Sequence, residues 1–376
     1  MKKKILVFCD GFGSKQSEMA GMKWITRLYQ SINHPKIEIH IFSYINSKES
    51  EEEIQNILKM CERYSIKFHY KKTANCKASF LVSRWTVLFN ILRIAKQIKA
   101  ELIHEYGSSE LLFIRSWLIK KFYSIKTVFS LVTHSRHYSP RFLKFASNSI
   151  DIIIKTFVGA PIKRPNEIIL PLGIISSPFI EKARVRDIDK SKIKFLYLGR
   201  IEKSKGIFTL LTALKDVSMP KDIHITFALM NLDTPFCKFQ KAKNEFLQQL
   251  PENDMQIDII EGKIETPDLM SENDVLLLPT DDISGTFSHP STLLEGLYNG
   301  MIVIASKIPG HQELLRDREN ALLFKAKDSK SLTEKIDELL NNRNLASKIS
   351  SNALSTLGKE FDLKSHAENL INIYCK

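Results

Sequence analysis

The chain has 376 residues, more than a single hydrophobic core comfortably serves, so two domains are expected. Its 43% hydrophobic content is ordinary for a water-soluble protein, and no apolar run approaches the roughly 18–20 residues that span a bilayer. The five cysteines lack CxxC spacing, which argues against a disulfide framework and a zinc site, and the net charge of +13 points to an anionic partner or a solvated basic face.

Met1-Lys2-Lys3-Lys4 has the charge of a signal peptide's basic end. The apolar stretch behind it is only Ile5 to Phe8, which reads as a first β-strand. A helix is expected from about Glu18 to Ser31, and a strand over the alternating Ile37–Ser43. A helix from about Ser50 to Arg63 and a short strand near Phe68 follow. Residues 79–98 read as a long helix, Leu102-Ile103-His104 as a strand end, and 109–122 as a helix. Thr127–Val132 and Asp151–Thr156 are strands, and Ile168–Gly173 a last strand entering a mixed, charged linker over 175–192. The pattern restarts at Phe195–Leu198. Ile207, Leu210, Leu211 and Leu214 then fall at i, i+3, i+4 and i+7, one apolar helix face. Strands are expected at Ile223–Ala228, Gln256–Ile260, Val275–Leu278, Ile302–Ala305 and Ala321–Phe324, and Ser331–Lys376 reads as almost entirely helical. This βαβα alternation belongs to the α/β class. It implies two Rossmann-like, doubly wound parallel-sheet domains, 1–172 and 173–360, with an interdomain cleft and ligands beyond the carboxyl ends of the strands.

Charge is uneven along the chain. Residues 1–170 hold 28 Lys/Arg against 13 Asp/Glu, while the rest hold 27 against 29. Residues 63–100 and 111–150 contain no acid at all. Within them, Phe80, Leu81, Trp85, Leu88, Phe89 and Leu92 mix with Arg84, Arg93, Lys96 and Lys99, and Phe113, Trp117 and Phe122 with Arg115, Lys120 and Lys121. Basic, aromatic helices of this kind suit an anionic membrane surface. No nucleic-acid motif accompanies the charge, which disfavours nucleic acid.

Two motifs carry chemistry. Gly199-Arg200-Ile201-Glu202-Lys203-Ser204-Lys205-Gly206 sets two cations and two glycines where a strand turns into a helix. Arg suits bidentate phosphate binding, and Lys adds a point charge. Pro290-Ser291-Thr292-Leu293-Leu294-Glu295-Gly296 opens a helix whose first N–H groups can bind an anion, with the Glu295 carboxylate one turn on for a ribose diol. Together they describe a socket for a nucleoside diphosphate. Asp10-Gly11-Phe12-Gly13-Ser14, after the first strand, lacks the third glycine of a dinucleotide fingerprint, since position 16 is Gln.

These stretches, with Asp274–Thr280, Ser291–Ser306 and Asn320–Phe324, resemble the C-terminal domain of family-4-type, retaining GT-B glycosyltransferases (glycosyl transferases group 1), over about Ile193 to Phe324. The resemblance implies a GT-B fold, a nucleotide-diphosphate-sugar co-substrate, no other cofactor and no bound metal. It implies that Arg200 and Lys205 hold the diphosphate with Ser291, Thr292 and Leu293, and that Glu295 holds the ribose. It places the Gly11, Phe12 and Gly13 loop under the donor and acceptor. It sets His134 near the reacting sugar as a catalytic residue that orients and polarises, with His137 competing for that role; His104 reads as structural or a cleft wall. The family's usual first glutamate falls at Phe287, so Asp281, Asp282, Phe287 and His289 are the candidates for contacting the sugar. The final helix, about 361–376, is expected to cross back onto the N-terminal domain.

The resulting expectation is a cytoplasmic glycosyltransferase, peripheral on the inner face of the cell membrane. It would act on a saccharide acceptor, lipid-linked or free, in cell-surface polysaccharide assembly. The alternatives are a nucleotide-sugar epimerase or hydrolase, and a non-catalytic donor-binding partner protein.

Overall fold

The computed structural model describes residues 2–9, 12, 20–47, 49–73, 80–107, 113–132, 148, 150–156, 165–188, 192–231, 238–262, 264–282 and 289–376. The chain divides into two compact units, Met1–Gly173 with Glu360–Lys376, and Ile174–Lys359.

The first unit is built on seven parallel strands: β1 (Lys3–Phe8), β2 (Ile37–Asn46), β3 (Lys67–Thr73), β4 (Leu102–Gly107), β5 (Lys126–Leu131), β6 (Ile152–Lys155) and β7 (Glu167–Ile169). Their order is β3-β2-β1-β4-β5-β6-β7, which reverses direction between β1 and β4. Ile5, Leu6 and Val7 are fully buried, as expected of a central parallel strand covered on both faces. The helix Glu51–Arg63 starts with a capping box: Ser50 Oγ accepts from the Glu53 N–H (3.2 Å), and the Ser50 N–H donates to Glu53 Oε2 (2.8 Å). Leu88, Ile91, Ile94, Ala95 and Ile98 of the helix Phe80–Ile98 join Leu6, Phe42 and Ile103 of the sheet in one apolar core.

The helix Leu363–Cys375 belongs to this unit, and packs against the helix Ala20–Ser31. Tyr374 Oη lies 2.7 Å from Tyr29 Oη and 2.5 Å from His104 Nδ1, while His104 Nε2 lies 2.8 Å from Ser130 Oγ. His366 Nδ1 donates to the Pro171 carbonyl at 2.6 Å. Burial pushes the His104 imidazole down to about 3, so it is neutral at any ordinary pH.

The second unit has six parallel strands: β8 (Ile193–Gly199), β9 (Ile223–Leu229), β10 (Gln256–Glu261), β11 (Val275–Leu278), β12 (Ile302–Ser306) and β13 (Leu322–Phe324). Their order, β10-β9-β8-β11-β12-β13, reverses between β8 and β11. The region expected to be almost entirely helical from Ser331 holds three helices: Ser329–Asn341, Arg343–Leu354 and Leu363–Cys375. Side-chain caps impose the breaks, with Asn342 Oδ1 accepting from the Leu345 N–H (3.0 Å) and Asp362 Oδ1 from the Lys364 N–H (2.8 Å). The segment read as a linker is part of this unit. Its Arg186 is fully buried and donates to Met270 O (2.9 Å) and to the Asn299 side chain. Among the described residues, no helix is long and apolar enough to cross a membrane.

Candidate functional site

Strands β8 and β11 are hydrogen-bonded neighbours with the same direction, so the segments that follow them leave one edge of the sheet together. This is where a doubly wound sheet opens a crevice for ligands. Beyond β8, Tyr197 Oη donates to the Arg200 carbonyl (2.8 Å) and fixes the exit of the strand. Lys203–Lys205 form one 3₁₀ turn, closed by Gly206 at φ +69°. A Cβ at Gly206 would stand 1.6 Å from the Pro279 carbonyl oxygen, so both the backbone angle and the close approach require glycine. The Asp281 and Asp282 N–H groups donate to the Ser204 carbonyl at 3.0 and 3.2 Å. The turn beyond β8 and the chain beyond β11 are thereby bonded into one structure.

Two cations stand in it. Arg200 Nη1 lies 2.9 Å from Glu202 Oε1, with the side chains 28% and 12% exposed. Lys205 is half-buried. Burial, aided by the nearby Arg200 charge and opposed by Glu202, pulls its ammonium down to about 8 from an ordinary 10.5. Glu202, the partner of Arg200, is assigned no part by the sequence alone. It lies inside the motif, but its pairing depends on a turn geometry that spacing does not specify.

The helix Ser291–Tyr298 starts beyond β11. Gly296 lets it settle on the sheet, since a Cβ there would stand 2.5 Å from Leu276 Cδ2. Ser291 is exposed, Thr292 and Glu295 are half-buried, and Leu293 is buried. The Leu293 N–H donates to the Pro290 carbonyl (2.9 Å), so that amide is engaged within the first turn.

Asp281 Oδ2 accepts from Thr209 Oγ1 (2.8 Å) and Oδ1 from the Lys327 N–H (3.1 Å). Its carboxylate thus ties the helix Ile207–Lys215 and the segment after β13 to the chain beyond β11. Burial raises its pKa, and the two hydrogen bonds hold it back. Asp282 is half-buried beside it. The His289 side chain is buried, with Nε2 2.9 Å from Glu313 Oε2. His311, after β12, is fully buried and donates from Nδ1 to the Ser306 carbonyl (2.9 Å). Its Nε2 has no hydrogen-bond partner among the described residues. Burial, opposed by the bond to the Ser306 carbonyl and aided by the nearby His289 and Lys205, pulls its pKa down to about 4.

In the first unit, Phe12 is fully buried, its N–H donates to Ser43 Oγ (2.9 Å), and its ring lies 5.9 Å from that of Phe68. It anchors the segment beyond β1 to the core. Gly11, Gly13, His134, His137 and Phe287 lie outside the described residues. Among the described residues, no group of three His, Cys, Asp or Glu side chains is disposed to hold a metal ion.

Residues 179–356 match the family described as glycosyl transferases group 1. An uncharacterized 41.2 kDa protein in the cps region of Klebsiella pneumoniae is 28% identical over 158 residues, 42% of this chain and 40% of that protein, so the match spans under half of the relative. A glycosyltransferase structure from Rickettsia africae superposes with a TM-score of 0.74 at 17% identity, over 99% of this chain and 98% of that one. Anabaena HepE, in complex with UDP, gives 0.71 at 15% identity, over 99% of both chains. Residues 179–356 are therefore a glycosyl transferases group 1 domain, carried on a chain with the fold of the GT-B glycosyltransferases.

Proposed function

We propose that this protein transfers a sugar from a nucleoside-diphosphate sugar to a saccharide acceptor, lipid-linked or free, in cell-surface polysaccharide assembly. One observation carries the reading: Arg200 at the exit of β8 and Lys205 in the glycine-closed turn that follows stand together, and that turn is bonded to the chain leaving β11. A diphosphate leaving group gains negative charge as the bond to the sugar breaks, and fixed cations beside it stabilise that charge. Lys205, half-buried, interacts with phosphate more strongly than an ammonium in water. Arg200 exchanges the Glu202 carboxylate for phosphate oxygens, which its planar fork fits bidentately. The helix Ser291–Tyr298 offers the N–H groups of Ser291 and Thr292 to the phosphates and the Glu295 carboxylate to the ribose. With two protein cations on the leaving group, the reaction needs no bound metal. Attack from the face the diphosphate leaves retains the anomeric configuration. The UDP bound by Anabaena HepE supports a nucleotide donor, and the relative from a cps region supports polysaccharide assembly.

A thermal-shift screen of nucleoside diphosphates and their sugars tests the socket. A ligand at 100 times its dissociation constant stabilises by about 2.7 kcal/mol. Transfer is then followed as nucleotide release, with and without saccharide acceptors, in the presence of a chelator. Release that needs an acceptor supports the reading. Turnover without acceptor identifies a hydrolase or epimerase instead, and binding without turnover across an acceptor panel a donor-binding protein. Activity lost to chelator and restored by magnesium or manganese overturns the metal-free mechanism.

A further inference from the structure

The helices Phe80–Ile98 and Phe113–Tyr123 lie side by side on the first unit's sheet, and each is apolar on more than the side it buries. Leu88, Ile91, Ile94 and Ile98 face the core, as does Ile119 of the second helix. On the outer side Trp85 is 62% exposed, Phe89 67% and Phe122 66%. A groove of about 670 Å³ is lined by Trp85, Leu88, Leu92, Leu118, Phe122 and Tyr123, and every lining residue is aliphatic or aromatic. A soluble helix normally turns charge outward, and an apolar patch rimmed by polar groups marks an interaction site.

The rim is cationic. Neither helix contains an Asp or Glu. Arg115 turns inward to the buried Glu105, and Lys120 pairs with Asp151. Arg93, Lys96, Lys99 and Lys121 are exposed. Trp85, Phe89, Leu92 and Lys96 follow spacings of four, three and four, so they form one stripe, aromatic at its start and basic at its end, with Lys99 just beyond the helix. Lys121 Nζ lies 5.2 Å from the Trp117 ring and 5.6 Å from the Phe122 ring.

We propose that this two-helix face docks the protein on an anionic bilayer, with Trp85, Phe89 and Phe122 among the acyl chains and the lysines at the phosphates. The charge complements acidic lipid headgroups, and long lysine stems let the ammoniums stay in the headgroup layer while the aromatics sink below it. A symmetric contact with a second copy would set the same cationic rim against itself. Leu88, Leu92 and Leu118 in the groove suit hydrocarbon better than nucleic-acid bases. The proposal does not depend on sugar transfer, and its test reads lipid contact alone.

The full chain is mixed with vesicles of phosphatidylcholine, with and without phosphatidylglycerol, and with versions carrying bromine on the acyl chains. Cosedimentation with the anionic vesicles at low salt is expected, together with quenching of tryptophan fluorescence by the brominated chains. The W85F variant should lose most of the quenching while still binding. The F89S/F122S double variant should bind at least about tenfold more weakly, and K96E/K99E/K121E should lose the preference for anionic vesicles. Unchanged thermal stability and nucleoside-diphosphate binding would show that these surface variants still fold. Failure to sediment with anionic vesicles overturns the proposal. So does sedimentation without quenching, which would mean adsorption by charge elsewhere. A concentration-dependent dimer in light scattering, dissolved by F89S/F122S, assigns the face to self-association. Displacement of bound vesicles by a polynucleotide that itself requires Trp85 assigns it to nucleic acid.

Discussion

The two sheets reverse direction at equivalent places, between β1 and β4 and between β8 and β11, yet the polar groups beside these crossings differ in kind. In the first unit they form a closed set. Both ring nitrogens of His104 lie within hydrogen-bond distance of hydroxyls, Ser130 Oγ on one side and Tyr374 Oη on the other. Among the described residues these groups bond to one another, and the network fastens the returning helix Leu363–Cys375. In the second unit the set is open. Lys205 is held half-buried and easier to deprotonate than an ordinary lysine, and the His311 imidazole has one bonded nitrogen and one without a partner among the described residues. A buried polar atom without a partner costs about 1–3 kcal/mol, and Arg186 Nε and Nη1 carry the same cost away from this edge, so it is the cations beside His311, not the unbonded nitrogen alone, that set the edge apart. The first set holds the scaffold together, and the second is where we propose that the nucleotide binds.

The strongest way to break this contrast is to destroy the open edge alone. Gly206→Ala forces a Cβ onto the Pro279 carbonyl at a backbone angle that L-residues avoid. Destabilisation well above the ~1 kcal/mol of an ordinary glycine substitution is expected, together with loss of nucleotide binding. Spectroscopic unfolding followed alongside nucleotide titration checks it. Wild-type binding would show that the turn does not shape the socket.

Next in size are the cations. Arg200→Ala and Lys205→Ala should each weaken nucleoside-diphosphate binding roughly ten- to hundredfold without unfolding the chain, since a charge-assisted hydrogen bond contributes about 1.5–3 kcal/mol. Glu202→Gln should act the other way near pH 7, because it releases Arg200 from a 2.9 Å ion pair. Severalfold tighter binding is expected by calorimetry. Looser binding would show that Glu202 positions Arg200 instead of competing with phosphate.

Lys205 also gives a pH signature with two opposite signs. Its folded value, about 8, lies below its ordinary 10.5, so between them the unfolded chain holds the extra proton. The contribution of this group to stability therefore rises with pH over that window. Diphosphate binding needs the ammonium, so affinity should fall as pH rises through about 8. Titrations at pH 8.5 in buffers of different ionisation enthalpy should report proton uptake on binding. A pH-independent affinity would remove Lys205 from the contact.

Much of this was legible in the sequence. The buried inner strands β1, β11 and β12 coincide with short apolar runs, because strands covered on both faces of a parallel sheet leave little choice of residue, whereas the edge strands β3 and β10 are polar or exposed and show only a weak alternation. The Gly199–Gly206 turn was legible for a related reason, since a left-handed glycine beside two cations is locally encoded. What escaped depends on distant partners. The Arg200–Glu202 pair depends on the bend between β8 and the 3₁₀ turn, where the Glu202 N–H donates to the Arg200 carbonyl (3.0 Å). The bonds from Asp281 to Thr209 and to Lys327 join segments far apart in sequence. The charged 175–192 stretch reads as a linker because nothing near Arg186 announces Met270 and Asn299, its buried acceptors. His311 carries no periodic signal, and only the orientation of the Ser306 carbonyl shows which of its nitrogens is occupied.

That orientation supplies the finest test of the contrast. His311 Nδ1 donates to the Ser306 carbonyl, which fixes the tautomer and leaves Nε2 as a buried acceptor. In His311→Leu the Ser306 carbonyl keeps the Ile308 N–H, 2.9 Å away, so no group is orphaned and an unsatisfied nitrogen is removed. Stability should be unchanged or slightly higher. If Nε2 receives a donor hydrogen bond from the nucleotide sugar, the same variant should bind it several-fold more weakly, the equivalent of one neutral hydrogen bond of about 1 kcal/mol. His104→Leu should do the reverse. It takes one partner from each of the Ser130 and Tyr374 hydroxyls, Tyr374 keeping Tyr29 Oη at 2.7 Å, which costs about 1 kcal/mol of stability, and it leaves nucleotide-sugar binding untouched. Denaturant melts and calorimetric titrations on the two variants, run side by side, decide it. A destabilised His311→Leu with wild-type affinity would make that histidine a packing residue like His104, and the second edge as closed as the first.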